Sequence, residues 1–143
     1  EKEKEDESIG KKKDINLASA EELIEINGIG EKLAARIIEY RKTLKGFTFD
    51  DQVREVYFLP PETADKLLLQ YEVKEKPAIA KLNVNEATFK EILALPYIDY
   101  GLTKRIFNYK KASLRIDSLE ELKKIDSFPL DKFDRIAVYL STE

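Results

Sequence analysis

The chain has 143 residues, 43% of them hydrophobic, which allows a modest core in one domain or two small ones. Although 37% of the residues are charged, the formal sum is only -3, which excludes a domain-wide positive field, so any contact with nucleic acid must be local. The absence of Cys, His, Met and Trp removes disulfides, thiolate or imidazole metal ligands and the usual nucleophile–base pairs, so no metal, cofactor or catalytic residue is expected.

Residues 1–14, EKEKEDESIGKKKD, mix both charges around one apolar residue, Ile9, and read as a disordered charged linker. The chain starts with Glu1 rather than Met, which reads as a fragment or processed chain. No signal peptide is present, and no apolar run approaches the roughly 20 residues of a membrane span, so no membrane contact is expected from this segment. From Ile15 the apolar spacing is helical, and it breaks again at KEKPAIA, which holds Pro77. The expected organisation is a first domain over 15–74, a linker over 75–83 and a second domain over 84–143.

The two domains are a tandem repeat: Ile15 to Lys74 aligns without a gap with Val84 to Glu143, 69 residues further on. Asn16 matches Asn85, Glu22 matches Glu91, Ile29 matches Ile98, Leu33 matches Leu102, Arg36 matches Arg105 and Tyr40 matches Tyr109. Ser19-x-x-Glu22 and Thr88-x-x-Glu91 are capping boxes at the same place in each copy, and Ser118-x-x-Glu121 is another. Four short helices are expected per copy, in the first at about Ser19–Asn27, Gly30–Leu44, Asp50–Tyr57 and Pro61–Gln70, with no strand alternation. A fainter symmetry lies inside each copy. Leu23-x-x-Ile26-x-x-Ile29 recurs 30 residues on as Val53-x-x-Val56-x-x-Leu59, and Ile92-x-x-Leu95-x-x-Ile98 recurs as Leu122-x-x-Ile125-x-x-Phe128. Each copy thus holds two helix–turn–helix units, too short to stand alone and expected to share one four-helix core.

The first turn carries the chemistry. Gly28 ends one helix where a left-handed residue is commonly needed, and Gly30 opens the next. With no side chains at either position, backbone N–H groups lie bare at a helix N-terminus, where the partial positive charge suits a phosphate. Ile29 is expected to point inward as an anchor. Lys32 and Arg36, one helical turn apart, can reach neighbouring phosphates, whereas the Glu31 carboxylate opposes an anion. Lys104 and Arg105, with Lys110 and Lys111, offer a secondary basic surface on the matching helix, and Tyr40 and Tyr109 read as core-edge aromatics rather than stacking platforms.

LxxINGIGxxxAxxII resembles the helix-hairpin-helix motif, and INLASAEELIEINGIGEKLAARIIEYR resembles the ComEA-like competence DNA-binding family. The likeness is close over Ile15 to Phe47 and degraded but visible over Val84 to Leu140. It implies an all-α fold of two tandem four-helix, SAM-like/ComEA-like domains with two helix-hairpin-helix units each, the second degenerate. It also implies sequence-independent binding of the duplex DNA backbone, in competence or DNA uptake, at the cell envelope on its periplasmic face; the residues themselves leave the location unknown, and without the resemblance the expectation is cytoplasmic. The glycines at 28 and 30 are replaced by Phe58 and Pro60, Tyr97 and Asp99, and Ser127 and Pro129, so these three turns read as structural.

Non-catalytic duplex binding through Gly28-Ile29-Gly30 is therefore the leading expectation. The alternative is a protein-interaction or scaffold module that kept the fold and lost the DNA grip, for which the negative charge and three altered turns speak. The carboxylates Glu21, Glu22, Asp50, Asp51, Glu120 and Glu121 fall where helix starts favour negative charge, which gives no reason to read an enzyme.

Overall fold

The computed structural model describes residues 11–143 and consists of two compact units that divide between Ala78 and Ile79. Residues 1–10, most of the segment expected as a disordered linker, lie outside the described residues.

The first unit opens with a two-residue strand, β1 (Lys13–Asp14), and a 3-10 turn over Ile15–Leu17. It continues through α1 (Ala20–Ile24), α2 (Glu31–Thr43), a 3-10 helix over Asp50–Glu55, α3 (Pro61–Gln70) and β2 (Tyr71–Glu72). The second repeats the order: β3 (Leu82–Asn83), α4 (Phe89–Leu93), α5 (Tyr100–Ser113), a 3-10 helix over Leu119–Lys124, a 3-10 turn over Leu130–Lys132, α6 (Phe133–Ala137) and β4 (Leu140–Ser141).

The fold is mostly helical, with one correction to the all-α expectation. β1 pairs in parallel with β2, and β3 with β4, so each unit is closed by a short ladder between its two ends. Lys13 and Asp14 fall within the expected leading linker, and Leu82 and Asn83 within the expected joint at 75–83; all four are ladder residues. A two-residue strand has no alternation to read, which is why the pattern missed it. The third helix of each unit is 3-10 rather than α. In the first unit Gln52 Oε1 accepts the Thr48 and Phe49 N–H groups, and in the second Glu121 Oε2 accepts those of Asp117 and Ser118, so the tight turn replaces an α-helical start.

Local signals explain the starts of α1 and α4. Ser19 Oγ accepts the Glu22 N–H while Glu22 returns to the Ser19 N–H, and Thr88 and Glu91 do the same. Five-residue helices do not persist on caps alone. Burial holds them: Leu23 and Ile26 in one unit, and Ile92 and Leu95 in the other, enter cores with Ile37, Phe47, Val53 and Leu67, and with Ile106, Ile116, Leu122 and Ile136. Each such side chain contributes about 1.5–3 kcal/mol on leaving water.

A polar clamp recurs at the end of the long helix. Asn16 Nδ2 donates to the Phe47 carbonyl and Asn16 Oδ1 accepts the Phe47 N–H; Asn85 makes the same two bonds to Ile116. Arg41 Nη1 donates to the carbonyls of Ile15 and Ala18, and its counterpart Lys110 donates to Val84. Tyr40 and Tyr109 are half-buried and donate their hydroxyls to Glu55 and Glu121, core-edge positions as expected.

Candidate nucleic-acid interface

Each unit contains two tight turns between paired helices, and all four share one backbone. The tip residues Gly28, Phe58, Tyr97 and Ser127 have φ of 101°, 64°, 69° and 59°. The next residue folds back in every case: Ile29, Leu59, Ile98 and Phe128 donate their N–H groups to Ile26, Val56, Leu95 and Ile125 at 3.0 to 3.4 Å. These four anchors are buried. Loss of glycine therefore did not remove the turn; a left-handed residue is retained where L side chains are uncommon.

At the first turn glycine is required twice over. A Cβ on Gly28 would stand 2.9 Å from Thr63 Oγ1, a buried β-branched residue on α3 that has little room to yield. Tyr97 occupies the matching position in the second unit, where the residue matching Thr63 is Lys132, whose ammonium lies 5.8 Å from the centre of the Tyr97 ring.

Gly30 is the N-cap of α2, with φ -99° and ψ -170°, and no side chain caps it. Nothing stands within 4 Å of the place its Cβ would take, so the helix N-terminus is open. Asp99, its counterpart, has nearly the same backbone, φ -103° and ψ -179°, but its Oδ1 accepts the Leu102 N–H at 2.8 Å. The second unit thus supplies its own anion where the first leaves the place empty. The other two turns continue through Pro60 and Pro129, which lack an N–H.

Lys32 and Arg36 are exposed on α2, with Glu31 exposed beside them in the first turn. The Arg36 guanidinium lies over the ring of Phe58, 4.9 Å from its centre, and so reaches from the first turn of the unit to the tip of the second. Arg105 makes the same reach by other means, donating Nη2 to the Ser127 carbonyl at 3.4 Å. Lys104 is exposed, while Arg105 is half-buried; the position matching Lys32 is Gly101, so the second unit has no cation in that first turn. The sequence marks Phe58 only as a structural replacement of glycine and gives Tyr57 no role, yet these adjacent aromatics are 68% and 72% exposed at the second tip. A Tyr-Phe pair at a position aligned with Asn27-Gly28 was the available signal.

Short helices paired across tight turns, twice in each of two units, define a class of protein that presents backbone rather than a cleft. The chain belongs to the helix-hairpin-helix motif family, whose sequence model matches residues 10–70 and again 77–141. Such motifs generally bind nucleic acids. The chain is 23% identical over 142 residues to a Xenopus laevis protein named endonuclease/exonuclease/phosphatase family domain-containing protein 1; the match covers 85% of this chain and 26% of that protein. No solved structure matches the chain.

Proposed function

We propose that the chain is a non-catalytic module that binds the phosphate backbone of duplex DNA without reading sequence, through Gly28, Ile29 and Gly30 with Lys32 and Arg36. The observation that carries this reading is the uncapped N-terminus of α2 at Gly30, set against the self-capped Asp99. A phosphate oxygen over Gly30 accepts the Leu33 N–H, whose counterpart in the second unit, the Leu102 N–H, meets the Asp99 carboxylate. Ile29 fixes the turn from below, and Lys32 and Arg36 stand on the same helix face to meet neighbouring phosphates.

Absence of catalysis is supported by the lack of His and Cys and by the structural employment of Glu22 and Glu121 in helix starts. The Xenopus laevis relative carries a nuclease-family name, but this chain spans 26% of its length, and the activity of the whole is not carried over. A nuclease assay with divalent metal ions tests the point directly: cleavage would overturn it. The ComEA-like resemblance of Ile15 to Phe47 supports backbone binding and is the sole ground for linking it to DNA uptake.

Fluorescence anisotropy of a labelled duplex at two salt concentrations tests the binding. Two phosphates neutralised by Lys32 and Arg36 give a log–log slope of about -1.8. Equal binding by the parent and Gly30→Asp, or none by either at low salt, rejects the reading.

One observation favours a separate role for the second unit. Leu114 is 90% exposed and borders, with Asn85, Phe107, Asn108, Lys110 and Lys111, an open cavity of about 500 Å³. That apolar and basic concavity supports a protein-interaction role, tested by whether Leu114→Lys abolishes recovery of a partner that the parent retains.

A further inference from the structure

The second turn of the first unit has lost the means to hold a phosphate but gained two rings. Tyr57 and Phe58 stand edge to face, with centres 4.3 Å apart and planes at 71°. Of the four tip residues only Phe58 is an exposed aromatic: Gly28 and Ser127 carry no ring, Tyr97 is half-buried against Lys132, and the exposed Tyr100 beyond it packs on Phe89. Phe58 shares its positive φ with the other three tips, so what sets this turn apart is the exposed pair of rings and not the backbone.

The surroundings say what would meet the rings. Arg36 lies over the Phe58 ring and Tyr57 meets it edge to face, yet Tyr57 and Phe58 remain 72% and 68% exposed, so the pair as a whole presents ring surface to solvent. The same side of the unit holds the Gly30 N-terminus, because Gly28 packs on Thr63 of the helix that follows Phe58. Lys32 stands one turn from Arg36. Opposing charges are present as well: Glu31 and Glu62 are exposed in the first turns of α2 and α3, and Asp65 is taken up by Arg54 at 2.6 Å. Cations and bare N–H groups beside a free ring fit a nucleotide, its phosphate on one and its base on the other.

We propose that Tyr57 and Phe58 stack on an unpaired nucleobase, so that the chain binds DNA carrying a bulged or unpaired base more tightly than intact duplex. This rests on the DNA-binding reading above. The base packs on the exposed surface of the Tyr57–Phe58 pair, and Arg36, over the Phe58 ring, holds the pair in place. An intact duplex offers no base face to the tip without unstacking, so it gains only the phosphate contacts.

The test compares the full chain on two probes of equal length and charge distribution, an intact duplex and the same duplex with one bulged 2-aminopurine, by anisotropy and by quenching of the 2-aminopurine. The parent is expected to prefer the bulge by about tenfold, within the range of one base–aromatic stack, with quenching on binding. Phe58→Gly removes the ring while suiting the left-handed backbone, so the variant folds; its preference is expected to fall to within about twofold, the stack being lost. A parent that binds both probes equally overturns the stacking while leaving backbone binding intact, and so does an undiminished preference in Phe58→Gly. A parent that binds neither probe at low salt rejects both readings. Concentration-dependent self-association of the parent that Phe58→Gly abolishes, with no preference for the bulge, assigns the rings to a protein contact and overturns the proposal.

Discussion

Asp99 and Gly30 hold nearly the same backbone conformation at the starts of equivalent helices, and the Asp99 carboxylate accepts the Leu102 N–H at 2.8 Å where Gly30 leaves the helix end open. The protein thus contains its own control: one unit shows the helix end occupied, the other shows it vacant.

Gly30→Asp should therefore fold and cap itself. The φ of -99° suits any residue, and no atom stands within 4 Å of the new Cβ. Relative to Gly, a capping carboxylate contributes only a few tenths of a kcal/mol, so the melting temperature is expected to stay level or rise slightly while DNA affinity falls. Thermal denaturation and anisotropy on the same preparation check this. A parallel loss of stability and binding would mean that the position acts through folding alone.

Gly28 and Ser127 should respond to substitution with opposite signs. Gly28→Ala places a Cβ 2.9 Å from Thr63 Oγ1 at φ 101°, and a loss of about 1–3 kcal/mol is expected. Ser127→Gly relieves a left-handed residue that is exposed, and against the extra freedom of the unfolded chain it should be neutral or stabilising by up to about 1 kcal/mol. Urea midpoints at constant m-value measure both.

Asn16→Ala and Asn85→Ala each strip two hydrogen bonds from a buried backbone segment, at Phe47 and at Ile116. Leaving an N–H and a carbonyl unsatisfied costs about 1–3 kcal/mol each before water enters. Amide hydrogen exchange should show faster opening around Phe47 in the first variant and around Ile116 in the second. Wild-type protection at both places would show that the clamp bears no load.

Acid should weaken the helix starts. Hydrogen bonding from the Ser19 N–H, more than the nearby Lys13, holds the Glu22 carboxyl below its usual range; the N–H groups of Ser118 and Asp117 do the same for Glu121. A carboxyl whose folded-state pKa is depressed contributes stability above the unfolded value, about 4.3, and loses it as pH falls through the folded one. The melting temperature of the parent should therefore fall faster than that of Glu22→Gln, Glu121→Gln or the pair as pH drops from about 5 towards 2. Identical slopes in parent and double variant would show that these contacts do not form in solution.

Much of this architecture was legible because repetition amplifies weak signals. Residues such as Asn16 and Asn85 line up across 69 positions only because each makes the same pair of bonds, and Ser19 and Thr88 because each caps a helix. Two-residue strands left no trace, since pairing at Lys13 and Leu82 needs partners 58 residues away. The internal repeat placed the Phe58 and Tyr97 turns, but not their left-handed backbone: tertiary packing of Leu59 and Ile98 imposes a conformation that residue type argues against. At the first site the glycines and cations were visible in the sequence. The reach of Arg36 to Phe58 was not, because it joins two turns that only the folded unit brings together.

The parallel ladders also settle how each unit would meet a pull along the chain. β1 runs beside β2 in the same direction, as β3 does beside β4, so tension applied at the two ends of a unit slides the paired strands past one another. The Leu82 N–H to Tyr139 and Val84 N–H to Ser141 bonds then share the load together instead of opening in turn. Each repeat is in this sense a link whose clasp is the ladder, backed by the Asn16 and Asn85 clamps just behind it.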